Sequence, residues 1–214
     1  FTTSIFGVLS DEIYEVENLY IQQKNIDDLS GIEDFMNLKK LLCDNNNLTE
    51  LDVTNNTQLT ELWCWNNNLT ELDITNNTML IDLSCYNNNL SQLNVSNNTV
   101  LEDLSCYNNN NLSQLDVSNN PLIQWLYVDN CNLGELDVSN NLLLEWLSVG
   151  YGNNLSELDI SNNIILEQLN CSGNNLSELD ISNNNLLNYL YCAENNLNEL
   201  DVTNNTMLET FSCF

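Results

Sequence analysis

The sequence predicts a mostly β solenoid of about ten coils, with a parallel sheet along one face. A stretch of 21 residues at positions 59–79, LTELWCWNNNLTELDITNNTM, carries this prediction because it returns in register along the chain. Later copies start at Leu80, Leu101, Ile123, Leu144, Leu166 and Leu187. Every copy keeps the skeleton L-x-x-L-x-C-x-x-N-x-L-x-x-L-D-(V/I)-(S/T)-x-N-x-x, with some drift. A unit this short cannot bury an apolar face alone, so successive copies stack as coils.

The apolar spacing is that of a leucine-rich repeat, in which L-x-x-L-x-L-x-x-N-x-L recurs every ~20–29 residues. Residues 1–17 lack the repeat and hold enough apolar side chains to cover the first coil, so an N-terminal capping segment is predicted there. Residues 18–214 are predicted to form one leucine-rich-repeat solenoid. Its tenth strand falls on the last residues of the sequence, so we expect no C-terminal cap within residues 18–214.

Each coil is expected to begin with a short strand. The alternation of side chains along a strand points Leu62 and Cys64 inward and leaves Trp63 facing outward. The predicted strands are centred on Leu19, Leu41, Leu62, Leu83, Leu104, Leu126, Leu147, Leu169, Leu190 and Phe211. The return segment, residues 69–77 in the reference copy, is short and rich in Asn and Thr, which favours extended or turn-like backbone over helix.

Seven of the eight cysteines share one inward position of the repeat. They are Cys43, Cys64, Cys85, Cys106, Cys171, Cys192 and Cys213, with Val128 and Val149 in the two coils between. A position that accepts either Cys or Val suits a small buried hydrophobe, so we predict a ladder of reduced thiols. Metal ligands converge on a point, which a straight ladder does not do, so no metal centre is predicted from the cysteines.

Two sets of repeat asparagines are predicted to be buried and to bond backbone groups of the turns, because buried polar groups need partners. The first set follows the strand and comprises Asn46, Asn67, Asn88, Asn174 and Asn195, with Cys131 replacing Asn in one coil. The second set closes the return segment and comprises Asn56, Asn77, Asn98, Asn120, Asn141, Asn163, Asn184 and Asn205. Two coils carry one extra residue in the turn after the strand, near residues 108–111 and 150–153.

The charge balance excludes several classes of partner. The formal net charge is -28, and the three lysines, Lys24, Lys39 and Lys40, lie in the first 40 residues. Such a field repels nucleic acid and anionic membranes and attracts a basic partner, although surface acids also keep a protein soluble. No apolar run approaches the ~20 residues that span a bilayer, so no membrane insertion is expected. Without His, a Gly-rich phosphate loop or a special carboxylate pair, the sequence predicts neither an enzyme nor a cofactor.

Aromatic residues concentrate at the outward strand positions and form the predicted partner-binding set. These residues are Tyr20, Trp63, Trp65, Tyr86, Tyr107, Trp125, Tyr127, Trp146, Tyr189 and Tyr191. Exposed aromatics gathered on one surface are typical of binding sites, and the interleaved acids Glu61, Asp82, Asp103 and Asp129 favour a basic or sugar partner. The alternative is that the rings pack across strands and stiffen the sheet. The sequence leaves both interpretations open.

A row of Asp residues follows the second leucine of the return segment. Asp52, Asp73, Asp116 and Asp137 exemplify it, and Asn94 takes the same position in one coil. Neighbouring carboxylates at this spacing repel one another, which is tolerable if each accepts N–H groups of its own turn. Calcium held between rungs by these four aspartates is a weaker alternative, because no Gly-Asp loop supports it.

The turns are rich in N-x-(S/T) sequons, which could carry N-linked sugars on a secreted chain. The candidate sites are Asn47, Asn55, Asn68, Asn76, Asn89, Asn97, Asn111, Asn154, Asn175 and Asn204. Many lie next to a predicted buried asparagine, in the neighbouring outward position, so attached sugars would line the solenoid without disturbing its core. Chance is the alternative explanation, since Asn-rich turns followed by Ser or Thr create sequons by composition alone.

The stretch LTELDVTNNTQLTELWCWNNN resembles the 21-residue, cysteine-bearing repeats of internalin-type bacterial surface proteins. The stretch IDDLSGIEDFMNLKKL is similar to the way internalin repeats begin. The resemblance covers about residues 18–214 and implies an extracellular or cell-surface role in adhesion or recognition. The leading functional prediction is therefore a non-enzymatic module that binds a protein or a carbohydrate through its aromatic, acidic sheet face. The alternative is a structural subunit that self-associates head-to-tail into an extracellular filament, with or without N-linked sugars.

Overall fold

The computed structural model describes residues 13–213, so most of the predicted capping segment and Phe214 lie outside the described residues. Within that range ten short strands form one parallel sheet, in which spatial order follows chain order. They are β1 (Asn18–Tyr20), β2 (Lys40–Leu42), β3 (Glu61–Trp63), β4 (Asp82–Ser84), β5 (Asp103–Ser105), β6 (Trp125–Tyr127), β7 (Trp146–Ser148), β8 (Gln168–Asn170), β9 (Tyr189–Tyr191) and β10 (Thr210–Ser212). Two 3-10 helices, Ile13–Glu15 and Ile32–Asp34, precede β1 and β2. No described helix is long and apolar enough to cross a bilayer.

The sheet register confirms that residues one repeat apart lie side by side. Leu62 is aligned with Leu41 on one side and Leu83 on the other. Where a coil carries an extra residue, the paired residues of neighbouring strands are 22 apart in sequence, as for Leu104 and Leu126. The strand pairing continues unbroken through both of these coils. The insertions are therefore absorbed in the turns, and the predicted solenoid with ten strands is confirmed.

The core is one continuous row between the sheet and the return segments. In the reference coil Leu59, Leu62, Cys64, Leu69 and Ile74 are all fully buried. The same positions are buried in neighbouring coils, so each coil completes the core of the next. Truncating one of these leucines to alanine should cost about 2–5 kcal/mol, because the regular coils above and below restrict collapse around the cavity.

The predicted cysteine ladder is confirmed. Cys64 and Cys85 are buried in adjacent coils, and the described cysteines are all free. Burial raises the pKa of the Cys85 thiol well above its ordinary value, and this keeps the thiol in the unreactive protonated form. Cys213, in the last described coil, is only partly buried.

The first predicted asparagine ladder is also confirmed, with Asn195 only half-buried, and links each coil to the one before. The side-chain oxygen of Asn67 accepts the backbone N–H of Leu48 at 3.0 Å, and its Nδ2 donates to the carbonyls of Cys43 and Cys64 at 3.1 and 2.9 Å. In the two coils with an extra residue Asn109 and Asn153 fill this position, which the sequence analysis did not assign. Cys131 fills it once, donating its thiol to the Cys106 carbonyl at 3.2 Å.

The second ladder runs along the opposite edge of each coil. Nδ2 of Asn77 donates to the carbonyls of Val53 and Asn56, both at 2.9 Å, and all eight members of the set are buried. These contacts tie the return segments together where no strand pairing exists. Since the coils are joined by amides on both edges and by a sheet, the rod presents a fixed surface to solvent.

A third asparagine ladder was not predicted. Its members are Asn45, Asn66, Asn87, Asn108 and Asn130, all with φ between 51° and 56°. Each of the last four donates Nδ2 to the side-chain oxygen of the member one coil earlier, and Asn45 donates to Asp44 at 2.8 Å. Asparagine tolerates this left-handed conformation better than most residues, which explains its use at the sharp bend after the strand.

Candidate partner-binding face

The outward surface of the sheet consists of three parallel columns of side chains. The first column holds the first residue of each strand, the second column holds the third residue, and the third column holds the residue two positions beyond the strand end. The middle residue of each of the strands β2–β9 points into the core and is buried. The period-2 alternation of the strands therefore places all three columns on one face, here called the sheet face.

The ten aromatic residues of the predicted set all lie in these three columns. Trp125, Trp146 and Tyr189 are in the first column; Tyr20, Trp63, Tyr127 and Tyr191 are in the second; Trp65, Tyr86 and Tyr107 are in the third. The strands themselves are only three residues long, so the third-column rings stand just beyond the strand ends. The predicted gathering of aromatics on one face is thus what the structure shows, whereas their binding role remains a prediction.

The third-column rings form a continuous stack. The centroids of Trp65 and Tyr86 are 5.0 Å apart with planes at 10°, and those of Tyr86 and Tyr107 are 4.2 Å apart with planes at 11°. Burial and a hydrogen bond to the Tyr107 side chain raise the pKa of Tyr86. A second contact joins Tyr127 and Trp146 at 5.4 Å with planes at 55°. These five rings therefore pack against one another across neighbouring coils, as the alternative interpretation predicted, and this packing fixes their positions.

Carboxylates stand beside the rings in the first column. Glu61, Asp82 and Asp103 occupy the same register position on β3, β4 and β5. Lys40 pairs with Glu61 from β2, and the Trp63 indole N–H donates to Asp82 at 3.0 Å. Burial raises the pKa of Asp82, and burial together with the neighbouring Asp82 charge raises the pKa of Asp103 to about 6. Asp82 and Asp103 therefore carry their charge in an environment that disfavours it.

Asp129 is the acid of the third column and is held by three donors. Its Oδ1 accepts from Ser148 Oγ and the Gly150 backbone N–H, each at 2.9 Å, and from Asn170 Nδ2 at 3.2 Å. Burial nevertheless raises its pKa. A Cβ on Gly150 would come within 2.9 Å of the side chains of both Asp129 and Asn170, so a larger residue there would displace this hydrogen-bonded pair. The second inserted turn, which begins at Gly150, thus helps to fix the Asp129 carboxylate on the sheet face.

The return side of the rod carries the predicted aspartate row. Asp52 accepts the backbone N–H and hydroxyl of Thr54 at 3.0 and 2.6 Å, and these bonds lower its pKa. Asn94 makes the same turn by accepting the Ser96 N–H at 3.0 Å. Among residues 13–213 no group of three or more His, Cys, Asp or Glu side chains is placed to hold a metal ion. The row is explained by turn formation, and calcium binding there stays an untested alternative.

All ten candidate glycosylation sites are exposed. The Nδ2 atoms of Asn76 and Asn97 bond the exposed backbone carbonyls of Thr54 and Thr75 at 3.1 and 3.0 Å, one coil earlier. The buried ladder members lie next to them in the chain and face the other way. The geometry therefore leaves room for attached sugars, and their presence remains a prediction.

A column of exposed apolar residues was missed by sequence reasoning. In six coils it occupies the position just before the first core residue, on the flank of the rod, and comprises Met79, Val100, Leu122, Leu143, Leu186 and Met207, each between 37% and 53% exposed. The signal was present as an apolar residue directly preceding the repeat leucine. The repeat skeleton leaves that position as an unspecified residue, so no role was predicted for it.

Comparison with solved structures shows that this fold is shared with leucine-rich-repeat proteins. The functional domain of InlJ from Listeria monocytogenes, which includes a cysteine ladder, is 36% identical, with a TM-score of 0.79 over 94% of this chain and 49% of that one. The chain is a leucine-rich-repeat protein. Its repeats resemble those of Listeria internalins, as the sequence indicated, although it spans only about half of the InlJ chain.

Other leucine-rich-repeat structures show the same fold at lower identity. An internalin, InlF of Listeria monocytogenes, is 24% identical with a TM-score of 0.78, covering 96% of this chain and 69% of that one. A leucine-rich-repeat protein of Leptospira interrogans is 21% identical with a TM-score of 0.69, covering 98% of this chain and 64% of that one. No protein-family model and no curated protein matched the sequence.

Proposed function

We propose that this leucine-rich-repeat chain is a non-enzymatic, extracellular or cell-surface recognition module that binds a protein ligand through its sheet face. The observation that carries the proposal is the pre-packed aromatic surface, with all four tryptophans on one side of a rigid rod. Large rings already fixed by stacking lose little conformational freedom on binding, so the area that they bury favours association. The resemblance to internalin repeats supports the location and the recognition role.

A protein ligand fits this surface better than a sugar. A sugar ring packs against the flat face of an aromatic ring, but both faces of Tyr86 are covered, by Trp65 on one side and Tyr107 on the other. The stack instead offers ring edges and hydroxyl groups over a broad, shallow area. Interfaces between proteins use such aromatic surfaces with polar tips. Carbohydrate binding is the second candidate and would use the unstacked rings, such as Tyr20 and Tyr191, which are 58% and 41% exposed.

The experiment compares binding of labelled protein to a panel of intact cell types by flow cytometry. The variant Trp63→Ala/Trp65→Ala/Trp125→Ala is expected to lose saturable binding at least tenfold, because large aromatic anchors dominate interface energetics. A matched control, Met79→Ala/Leu143→Ala/Met207→Ala, removes three exposed apolar side chains from the flank and should bind within about twofold of the unmodified chain.

Circular dichroism must show both variants folded. Unchanged binding of the tryptophan variant would reject the sheet face, and absence of saturable binding by the unmodified chain to every cell type would contradict the recognition role. The filament alternative makes a different prediction: electron microscopy of purified protein would show long fibres rather than dispersed short rods.

A further inference from the structure

Charge on the sheet face is confined to one half of the rod. Five carboxylates stand in the three columns between β2 and the residues that follow β6: Asp44, Glu61, Asp82, Asp103 and Asp129. The outward strand residues from β7 to β10 are uncharged: Trp146, Ser148, Gln168, Asn170, Tyr189, Tyr191, Thr210 and Ser212. We call the first region, β2 to β6, the acidic half and the second the neutral half. Aromatic rings are present in both.

Little within the acidic half offsets these charges. Lys40, at its edge, pairs with Glu61. Asp82 and Asp129 are bonded by neutral donors, the Trp63 indole in one case and Ser148, Gly150 and Asn170 in the other. Neutral donors stabilise a carboxylate without removing its charge, so the acidic half keeps a strong negative potential beside its rings.

Three acids of this half, Asp82, Asp103 and Asp129, are also partly desolvated. Burial is the largest cause of the raised pKa values of Asp82, Asp103 and Asp129, whereas the exposed aspartates of the return side, such as Asp137, have lowered pKa values. A cation brought against a desolvated carboxylate meets less screening than one at an exposed carboxylate. The sheet face is therefore the surface where a basic partner would gain most.

The length of the acidic half indicates whether it suits a single bound ion or a longer ligand. The columns from β2 to β6 cross four strand spacings of ~4.8 Å each, a distance of about 19 Å. The acids are spread over that length and no described group of them converges on one point. A chain that carries several cations along its length matches this spacing, whereas one metal ion does not.

We propose that the acidic half binds a basic segment of the protein ligand, placing Lys or Arg side chains against Glu61, Asp82 and Asp103 and their apolar stems against the neighbouring rings. Arginine suits this surface best, since its planar guanidinium both pairs with a carboxylate and packs on aromatic rings. The neutral half then contacts an uncharged part of the same ligand. This inference rests on the proposed function and adds the chemistry of the partner.

The test uses a fluorescein-labelled hexa-arginine peptide, with binding measured by fluorescence anisotropy at fixed ionic strength. The face variant Glu61→Gln/Asp82→Asn/Asp103→Asn removes three charges and keeps the side-chain shapes. The control variant Asp116→Asn/Asp137→Asn/Asp159→Asn removes three charges from the return side. Its turns should persist, because Asn94 already makes the same turn in this chain. Both variants must give the circular dichroism spectrum of the unmodified chain.

The face variant is expected to bind the peptide about tenfold more weakly and the control within twofold, since each ion pair with a face carboxylate contributes a modest increment and three act together. Equal weakening in both variants would show that only the overall charge attracts the peptide and would overturn the proposal. Binding within twofold of the unmodified chain by the face variant would overturn it as well.

Cell binding separates this inference from the proposed function. If the tryptophan variant loses cell binding and the face variant keeps it, the sheet face is the recognition surface but the ligand is not basic. If the face variant also loses about tenfold in cell binding while the control does not, the basic partner is supported. If the tryptophan variant keeps its cell binding, the proposed function itself fails, whatever the peptide shows.

Discussion

Asp103→Asn should stabilise the protein at neutral pH, which is unusual for a substitution in the middle of a sheet. Asp103 lies between Asp82 and Trp125 in the first column, half-buried, with its pKa raised from 3.8 to about 6. The folded state therefore holds the proton of Asp103 more tightly than the unfolded chain does. At neutral pH, where the carboxylate is ionised in both states, its charge lowers the free energy of unfolding. Asparagine removes the charge and keeps an oxygen that can accept the Ser105 hydroxyl, which lies 3.4 Å from Asp103.

The magnitude follows from the pKa difference. A change from 3.8 to about 6 corresponds to about 3 kcal/mol if the group were wholly buried. Asp103 is still partly in contact with solvent, and screening reduces the effect to about 1 kcal/mol. This destabilisation is fully present above the folded-state pKa of about 6 and disappears as the pH falls below the unfolded-state pKa of 3.8. The gain in free energy of unfolding from Asp103→Asn should therefore shrink over that pH range.

Urea denaturation at pH 7.5 and pH 4 measures this difference. The variant should have the higher midpoint at pH 7.5, and the difference should shrink to a small fraction of that value at pH 4. Asp137→Asn is the control: a hydrogen bond from Ser139 lowers the pKa of Asp137, so removing its charge should give no stabilisation at pH 7.5. A destabilised Asp103→Asn variant, or an effect that is the same at both pH values, would refute the reasoning.

Three further outcomes are expected. Asn77→Ala should lower the free energy of unfolding by about 2 kcal/mol in urea titrations, because two buried hydrogen bonds are lost, while exposed Asn76→Ala should change it by less than about 0.5 kcal/mol. Thiols such as Cys85 should resist a disulfide reagent until the protein is unfolded, since burial raises their pKa; rapid reaction of the native protein would contradict this. If Asn68 and Asn89 carry sugars, the intact mass of protein secreted by a eukaryotic host should exceed the mass of the sequence and should fall after Asn→Gln substitution at these positions. An intact mass equal to that of the sequence would exclude glycosylation of both residues.

The repeat period made most of the fold predictable. Once residues 21 apart are assumed to lie side by side, the position of Cys64 beside Cys85 and the outward position of Trp63 follow from alternation alone. Both buried asparagine ladders follow from the same step, because a polar residue fixed at a core position must find backbone partners. Asn109 and Asn153 were missed because each lies in a turn with one extra residue. The sequence does not show which residue of such a turn is the extra one, so the ladder position could not be assigned.

The details of the sheet face were less predictable, because they depend on side-chain conformations rather than on spacing. Sequence reasoning placed Tyr86 and Asp82 on the face but could not show the covered faces of the Tyr86 ring or the bond from Trp63 to Asp82. The third asparagine ladder was hidden for another reason. Residues such as Asn66 look like ordinary turn residues, and their head-to-tail bonding depends on a left-handed φ that only the structure shows.

Hydroxyl-radical footprinting of the protein bound to intact cells distinguishes recognition through the sheet face from recognition through the flank. The four tryptophans lie on the sheet face, and Met79 and Met207 lie on the flank, so one experiment reports on both surfaces. Oxidation of Trp63, Trp65 and Trp125 should fall several-fold on binding, while that of the two methionines should not change. Protection of the methionines with unchanged oxidation of the tryptophans would contradict recognition through the sheet face.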